Sequence, residues 1–284
     1  MKVATVSIAG ERRVGQITPD GSALLPFDLP MSEAQDGILA LIRRNGAGLP
    51  PTLSPVPLDR VAIEAPIPQP RRNIFCVGKN YHEHAHEFAK SGFDSSAAKG
   101  AVPSSPIMFS KVPESVVPCG SAVIIDPEVS QAVDYEAELA VIIGKGGRGI
   151  RAKEAFDHVW GYTIVNDVTA RDLQRTDGQW TRAKGFDTFC PVGPRVVSNV
   201  DWRGLEIRCR VNGELRQQAK ATEMHFPIPF LLSYISGIMT LEPGDLIATG
   251  TPAGVGPLKD GDVVEVEIPG IGVLSNPIRD EGTA

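Results

Sequence analysis

The sequence lacks closely spaced cysteines. It has four in 284 residues, none in a CxxC pair: Cys76, Cys119, Cys190 and Cys209. Four scattered cysteines in a chain of this length fit neither a disulfide framework nor a zinc ribbon, and scattered thiols are typical of a reducing compartment. No apolar segment precedes the charges of the first residues, MKVATVSIAGERRVGQ, which argues against a secretory signal peptide. These two absences predict a cytoplasmic protein.

Long runs of one residue class are absent as well. The chain has no extended Lys/Arg run, a formal net charge of −6 and a pI near 5.5. Such a chain is a poor binder of nucleic acid or of an anionic membrane. The most apolar stretch, 226–241, is interrupted by prolines, serines and a glycine and is too short to span a bilayer. These observations favour a protein that acts on a small molecule.

Glycine and proline, in contrast, are abundant, with 29 and 24 residues. Without a collagen-like period, this excess predicts many turns and short strands rather than a helical bundle. Seven prolines fall between positions 50 and 70. Because proline fixes φ and cannot donate a backbone hydrogen bond, this stretch predicts an extended connector. It divides the chain into a small N-terminal domain with its connector, 1–70, and a larger domain, 71–284.

Local periodicity predicts a β-rich α+β fold. Residues 205–211 alternate apolar and charged side chains before Asn212-Gly213, which predicts a hairpin with a type I′ turn. Other predicted strands cover 2–8, 13–18, 73–77, 139–143, 162–165, 246–249 and 263–268, and predicted helices cover 80–90, 153–160 and, after Pro229, the end of 226–236.

Three acidic residues stand at the ends of two predicted strands. Glu136 and Glu138 open the strand that continues to residue 143, and Asp167 follows the next strand. Side chains alternate along a strand, so both glutamates project to the same face. Carboxylates this close repel one another unless a cation lies between them, and hard oxygen ligands suit Mg²⁺ or Mn²⁺. The alternative interpretation is a solvated edge strand beside an unrelated turn aspartate.

A histidine and a glutamate lie one helical turn apart in YHEHAHE, residues 81–87. At a spacing of i, i+3, Glu87 can orient His84 and balance its charge, as a general base requires. The alternative interpretation is a polar helix face that happens to be rich in histidine.

Two further motifs imitate known signatures. HEHAH, 82–86, matches the zinc-protease pattern H-E-x-x-H, but its helix meets Lys90-Ser91-Gly92 almost at once and no third histidine follows nearby. GKGGRG, 144–149, matches G-x-G-x-x-G, but only 11 residues separate Gly149 from Gly161, too few for the expected helix. We interpret the first as a polar helix and the second as a glycine-rich turn.

The segment IATGTPAGVG, 247–256, combines glycines that admit a ligand close to the backbone with Thr251, whose hydroxyl can donate to a carboxylate. Considered alone this segment is typical of an ordinary loop. Lys184, which lies elsewhere in the chain, is likewise typical of a surface lysine when it is considered alone.

In their order along the chain, these segments resemble the fumarylacetoacetate hydrolase family, including its acylpyruvase and 2-hydroxyhepta-2,4-diene-1,7-dioate isomerase members. The resemblance covers about residues 71–278 and rests on five segments: CVGKNYHEHAHE (76–87), DYEAELAVIIG (134–144), GYTIVNDVTARDLQ (161–174), KGFDTFCPVGP (184–194) and LEPGDLIATGTPAGVG (241–256). The small N-terminal unit also looks like that of some bacterial members.

The resemblance implies a mixed β-roll as the catalytic domain, a divalent metal, usually Mg²⁺ with Mn²⁺ as the alternative, and a homodimer. It implies a lid over 91–105. By motif position the implied metal ligands are Glu136, Glu138 and Asp167, the implied catalytic residues are His84, Glu87, Lys184 and Gln174, and the implied substrate-binding residues are Thr251, Arg171, Lys111 and Gly250.

The implied activity is hydrolysis of a C–C bond in a 2,4-dioxo acid such as an acylpyruvate or fumarylpyruvate. A metal would stabilise the enolate while His84 and Glu87 activate water. The same enolate also permits oxaloacetate-type decarboxylation or isomerisation of a 2-hydroxy-diene-dioate, and these stay open as alternatives. A non-catalytic ligand-binding protein is a further alternative, although binding alone needs no base.

Overall fold

The computed structural model describes residues 1–44, 48–90, 92 and 102–283. The lid expected over 91–105 therefore lies mostly outside the described residues.

The described residues form a β-rich α+β fold, which confirms the predicted fold class. The strands are β1 (Lys2–Ile8), β2 (Glu11–Ile17), β3 (Ala23–Pro26), β4 (Val56–Pro57), β5 (Ala62–Ile63), β6 (Ile74–Gly78), β7 (Ile107–Lys111), β8 (Val116–Val117), β9 (Val123–Ile125), β10 (Val133–Asp134), β11 (Ala137–Ile143), β12 (Val159–Asn166), β13 (Thr169–Ala170), β14 (Cys190–Val197), β15 (Glu206–Val211), β16 (Glu214–Lys220), β17 (Leu246–Ala248), β18 (Val263–Ile268) and β19 (Gly272–Asp280).

The helices are short. The α-helices are α1 (Met31–Ala34), α2 (Leu39–Ile42), α3 (His82–Lys90), α4 (Arg171–Thr176), α5 (Thr181–Lys184) and α6 (Ile228–Ile238), and 3₁₀ turns cover Leu58–Arg60, Pro113–Ser115, Ala152–His158, Trp202–Gly204, Ala221–Glu223 and Glu281–Thr283. No helix of the described ranges is long and apolar enough to cross a membrane.

Two sheets carry most of the backbone pairing. The larger has the order β4-β3-β2-β1-β14-β12-β11-β17-β6-β7, with β5 on β1 and β8 on β14; the smaller has the order β16-β15-β18-β19-β9. β10 and β13 form a separate pair. Strands of the N-terminal 70 residues thus continue the larger sheet, because β1 pairs antiparallel with β14. The domain boundary near residue 70 stays a prediction.

Strand β11 lies at the centre of the larger sheet and is buried along its whole length. Its odd-numbered residues, 137–143, belong to an apolar cluster shared with the smaller sheet. On its other face, Ala140 and Ile142 cluster with Leu39 and Ile42 of α2. A strand covered on both faces accepts charge only where other charges balance it, so glutamates at its start need buried partners.

Most predicted elements are confirmed to within a few residues. The strands at 2–8 and 263–268 have the predicted bounds, and the 206–220 hairpin turns at Asn212 and Gly213, whose φ values of 53° and 81° fit a type I′ turn. Two helix predictions were wrong in detail. Residues 152–158 form a 3₁₀ turn, and α6 begins at Ile228, before Pro229, because proline is accepted in the first helical turn.

Candidate active site

The three acidic residues predicted from the strand pattern meet at one end of β11 and β12. The antiparallel register pairs Ala137 with Asn166, so the two glutamates flank the pairing position and Asp167 follows it. Each of the three offers a carboxylate oxygen, and these oxygens lie within 4.8 Å of one another. Glu136, Glu138 and Asp167 are 5%, 1% and 0% exposed. The alternative of a solvated edge strand was therefore wrong.

Two buried lysines neutralise part of this charge. Lys184, at the end of α5, places Nζ 2.8 Å from Glu136 Oε2 and 2.7 Å from Asp167 Oδ2. Lys111, at the end of β7, places Nζ 2.7 Å from Asp167 Oδ1 and donates to the Val168 carbonyl. Lys184 is thus not a surface lysine. Despite burial, the carboxylates of Asp167 and Glu136 raise its pKa, so the ammonium form persists.

Arg171, the first residue of α4, supplies the third cation. Its guanidinium lies 2.7 Å from Glu136 Oε1 and 2.8 Å from Asp134 Oδ2, and it donates to Gln174 Oε1 at 3.0 Å. Burial opposes ionisation of Glu136, but Lys184 and Arg171 outweigh it and hold the pKa of Glu136 below its usual range. The ion pairs with Lys184 and Arg171 therefore fix the orientation of the Glu136 carboxylate.

Glu138 is the exception to this compensation. Among the described residues it joins no ion pair, and its Oε2 accepts a 2.8 Å hydrogen bond from the Gly250 amide. Burial and the carboxylates of Asp167 and Glu136 raise the pKa of Glu138 well above its usual range. Asp134, Glu136 and Asp167 thus form ion pairs with Lys111, Lys184 and Arg171, and none of these ion pairs includes Glu138.

A divalent cation fits this donor set. The trio offers hard oxygen ligands that suit Mg²⁺ and Mn²⁺, and such an ion would favour the ionised form of Glu138, which burial and the carboxylates of Asp167 and Glu136 oppose. The role of these residues as metal ligands stays a prediction.

His84 and Glu87 lie together on α3. Nδ1 of His84, a residue 4% exposed, is 3.4 Å from Glu87 Oε2, and both oxygens of Glu87 accept from the Gly254 amide at 3.1 Å. Burial opposes ionisation of Glu87, but the contacts with His84 and Gly254 lower its pKa, so Glu87 is anionic beside the imidazole. His82 and His86 are exposed on this short helix, which fits the polar interpretation of HEHAH.

One narrow pocket, in which about 20 Å³ is open to a water-sized molecule, connects the two groups. Its lining includes His84, two carboxylates of the trio and, of the predicted substrate-binding residues, Arg171 and Thr251 but not Lys111 or Gly250. The lining residues are Val77, Gly78, Lys79, His84, Phe109, Glu136, Glu138, Arg171, Gln174, Trp180, Lys184 and Thr251. Phe109 and Trp180 pack edge to face, with ring centroids 5.2 Å apart, and Lys184 Nζ lies 4.7 Å from the Phe109 centroid. The pocket therefore has an apolar wall beside its charged floor.

The substrate-side predictions have mixed outcomes in this geometry. Gln174 lines the pocket. The Thr251 hydroxyl donates to the Ala137 carbonyl at 3.0 Å and accepts from Gln217, so it must rotate before it can donate to a substrate. The Gly250 amide is bound to Glu138, and Lys111 lies behind Asp167. Substrate contact by these residues stays a prediction.

Gln217 was missed in the sequence. It is 1% exposed and donates to Thr251 Oγ1 and to the Pro252 carbonyl. The one available signal was its position: a polar residue alternating with Ala219 on the inward face of the predicted hairpin.

The raised pKa of Glu138 predicts how stability should depend on pH. Folded metal-free protein keeps this proton above the usual glutamate value of 4.5, where the unfolded chain has lost it, so this group lowers stability as pH rises. Mg²⁺ favours the carboxylate, so its stabilising effect should grow with pH. Calorimetric melting from about pH 5.5 to pH 8, in EDTA and in Mg²⁺, measures both trends.

Glu136 does not contribute to the dependence of stability on pH in this range, because its lowered pKa leaves it ionised in both the folded and the unfolded protein. Comparison with the variant Glu138→Gln isolates the contribution of Glu138 from that of every other group in the protein. Identical pH slopes for the metal-free parent and Glu138→Gln would contradict the expectation.

Comparison with known proteins identifies the family of the chain. Residues 73–279 match the family model described as "Fumarylacetoacetate (FAA) hydrolase C-terminal". The chain is 46% identical over 231 residues to the protein named oxaloacetate tautomerase YisK of Bacillus subtilis, covering 78% of this chain and 74% of that one.

Solved structures extend the similarity to the whole chain. A fumarylacetoacetate hydrolase of Exiguobacterium antarcticum is 36% identical with a TM-score of 0.81, covering 99% of this chain and 100% of that chain. A maleylpyruvate hydrolase of Sphingobium sp. SYK-6, in complex with manganese (II) and pyruvate, is 28% identical with a TM-score of 0.79, covering 99% of each chain. The predicted fold and family are confirmed: the chain belongs to the fumarylacetoacetate hydrolase family.

Proposed function

We propose that the protein is a divalent-metal-dependent tautomerase that interconverts the enol and keto forms of oxaloacetate and related 2-oxo dicarboxylic acids. One observation carries the proposal: Glu136 and Glu138, two members of the buried trio completed by Asp167, line a pocket with His84, which is paired with an anionic Glu87. The relative named oxaloacetate tautomerase, at 46% identity, supports this substrate class.

Tautomerisation moves one proton between carbon 3 and the oxygen on carbon 2. Going from keto to enol, the C3–H bond breaks, its electron pair forms the C2–C3 double bond, and the oxygen gains a proton. A divalent ion held by the trio would supply Lewis-acid stabilisation of the negative charge on that oxygen. Catalysis then requires a group that carries the proton.

His84 is suited to carry this proton. Because Nδ1 faces Glu87, Nε2 is the nitrogen that exchanges a proton with substrate. Glu87, held anionic by the Gly254 amide, stabilises the imidazolium that forms. Lys184, kept protonated by Asp167 and Glu136, keeps positive charge at the pocket floor near the developing oxyanion.

Hydrolysis, the activity favoured from the sequence, is the second candidate. The same His84–Glu87 pair can activate water for attack on the distal carbonyl of a 2,4-dioxo acid. The solved maleylpyruvate hydrolase, complexed with manganese and pyruvate, supports it at 28% identity. Decarboxylation of oxaloacetate is the third outcome, and all three differ in their products.

A paired assay separates the three activities. We expect purified protein with Mg²⁺ or Mn²⁺ to accelerate the loss of ultraviolet absorbance of enol oxaloacetate without producing pyruvate, and EDTA to abolish the effect. Pyruvate formed from oxaloacetate would indicate decarboxylation, and pyruvate formed from maleylpyruvate or acetylpyruvate would indicate hydrolysis. No acceleration with either metal would contradict the proposal. The homodimer is part of the same proposal, and light scattering after size-exclusion chromatography tests it.

A further inference from the structure

Gln217 connects the smaller sheet to the candidate active site. It lies on the inward face of β16, and its side-chain amide makes three hydrogen bonds. Nε2 donates to Thr251 Oγ1 at 2.8 Å and to the Pro252 carbonyl at 2.7 Å, and Oε1 accepts from the Ala137 amide at 3.0 Å. Both amide protons and the oxygen of this buried side chain therefore have partners.

The bond to Ala137 reaches the backbone between two members of the acidic trio. Ala137 separates Glu136 from Glu138, its amide donates to Gln217, and its carbonyl accepts from the Thr251 hydroxyl at 3.0 Å. Gln217, Thr251 and Ala137 thus close a ring of hydrogen bonds. The ring fixes the start of β11 against the loop that follows β17.

That loop, 249–256, holds one carboxylate from each functional group. Its Gly250 amide donates to Glu138 at 2.8 Å, and its Gly254 amide donates to Glu87 at 3.1 Å. Gly254 has φ of 99°, and a Cβ there would collide with the Arg216 carbonyl oxygen. The loop therefore packs directly on β16 beside Gln217, and the position of β16 sets where the two amides point.

We propose that Gln217 is a positioning residue for catalysis. By holding the 249–256 loop between β16 and β11, it sets Glu138 and Glu87 relative to each other and thereby aligns the metal ligands with the His84 pair. The inference rests on the proposed function for its catalytic consequence. Partners that orient a metal ligand typically change metal affinity or activity by about 10–100-fold when removed.

The experiment compares two adjacent glutamines. Gln217→Met keeps the length of the side chain and removes all three hydrogen bonds; Gln218→Met, on the exposed face of the same strand, is the matched control, because the Gln218 side chain bonds Glu206 instead. The readouts are Mn²⁺ affinity from the electron paramagnetic resonance signal of free Mn²⁺, kcat and KM for oxaloacetate tautomerisation, and the melting temperature. We expect Gln217→Met to lose about tenfold or more in Mn²⁺ affinity and in kcat, and Gln218→Met to stay within about twofold.

A folded Gln217→Met that matches Gln218→Met in Mn²⁺ affinity and kcat would overturn the proposal. If Gln217→Met does not fold, Gln217→Glu decides. Its carboxylate keeps the acceptor for Ala137 and loses both donors, so Mn²⁺ affinity should fall less than kcat. The ratio of its kcat to that of the parent at the same pH should rise as pH falls and a carboxyl proton can again donate to Thr251. A Gln217→Glu variant with parental kcat at every pH would also overturn it.

The Mn²⁺ measurement separates this inference from the proposed function. A parent protein that binds Mn²⁺ but shows no tautomerisation contradicts the proposed function, while the Mn²⁺ affinities of the variants still decide the role of Gln217. A parent that binds no Mn²⁺ contradicts the metal assignment and with it the role of Gln217.

Discussion

Replacing Glu138 by glutamine is expected to lower the affinity for Mg²⁺ or Mn²⁺ more than about 100-fold and to abolish turnover, because loss of a direct ligand should exceed the about 10–100-fold cost of losing a supporting partner. Glu138 is the member of the trio that joins no ion pair within the described residues, so its ionised form depends most on a bound cation. Isothermal titration calorimetry measures the affinity.

The same variant should be more stable than the parent when both are metal-free. The substitution Glu138→Gln removes a carboxyl group whose ionisation is opposed by burial and by the carboxylates of Asp167 and Glu136, while the amide oxygen that it introduces can still accept from Gly250. Melting in EDTA should therefore shift upward, and added Mg²⁺ should give no further shift. Glu214→Gln, on the exposed start of β16, is the control and should behave as the parent. Undiminished Mg²⁺ affinity in Glu138→Gln would refute its assignment as a ligand.

The acidic trio could be predicted because its placement follows from local rules. A period of two puts Glu136 and Glu138 on one face, and Asp167 follows the adjacent antiparallel strand. His84 and Glu87 likewise follow from helical spacing, and the structure places Nδ1 and Oε2 within 3.4 Å. Predicting each group therefore required only the geometry of one helix or of one pair of strands.

The supporting cations could not be predicted in the same way. Lys111 ends β7, and the chain that follows forms β8, which pairs with β14 beside β12, the strand that ends just before Asp167. The resemblance assigned Lys111 and Arg171 to substrate, whereas their contacts in the structure are ion pairs with Asp167 and with Glu136 and Asp134. Such contacts depend on strand order, which hydrophobic periodicity does not specify.

The contacts of Gln217 could not be predicted from the sequence either, because they join two different sheets. Alternation along β16 indicated an inward side chain, but its partners lie 80 and 34 residues away in sequence, at Ala137 and Thr251. They meet only because the smaller sheet packs on β11. The N-terminal strands are a further case, since no local pattern revealed that β1 extends the larger sheet through β14.

Replacing His84 by alanine is expected to slow tautomerisation by about 10²–10⁴-fold while Mg²⁺ affinity stays within about twofold of the parent. The reason is that His84 carries the proton but is not a member of the trio of carboxylates whose oxygens converge within 4.8 Å. Initial rates of enol oxaloacetate decay and calorimetric Mg²⁺ titration measure the two effects separately.

His86→Ala is the matched control, because His86 lies on the same helix two residues away and is exposed. It should retain parental rates, which separates loss of the proton carrier from loss of helix α3. The tautomerisation rate of Glu87→Gln should lie between those of His84→Ala and His86→Ala. This variant can still accept a hydrogen bond from Gly254, but it no longer stabilises the imidazolium by charge. A His84→Ala variant with the parental rate would show that another group moves the proton. A variant that is slow and has also lost Mg²⁺ affinity would place His84 among the metal ligands instead of making it the proton carrier.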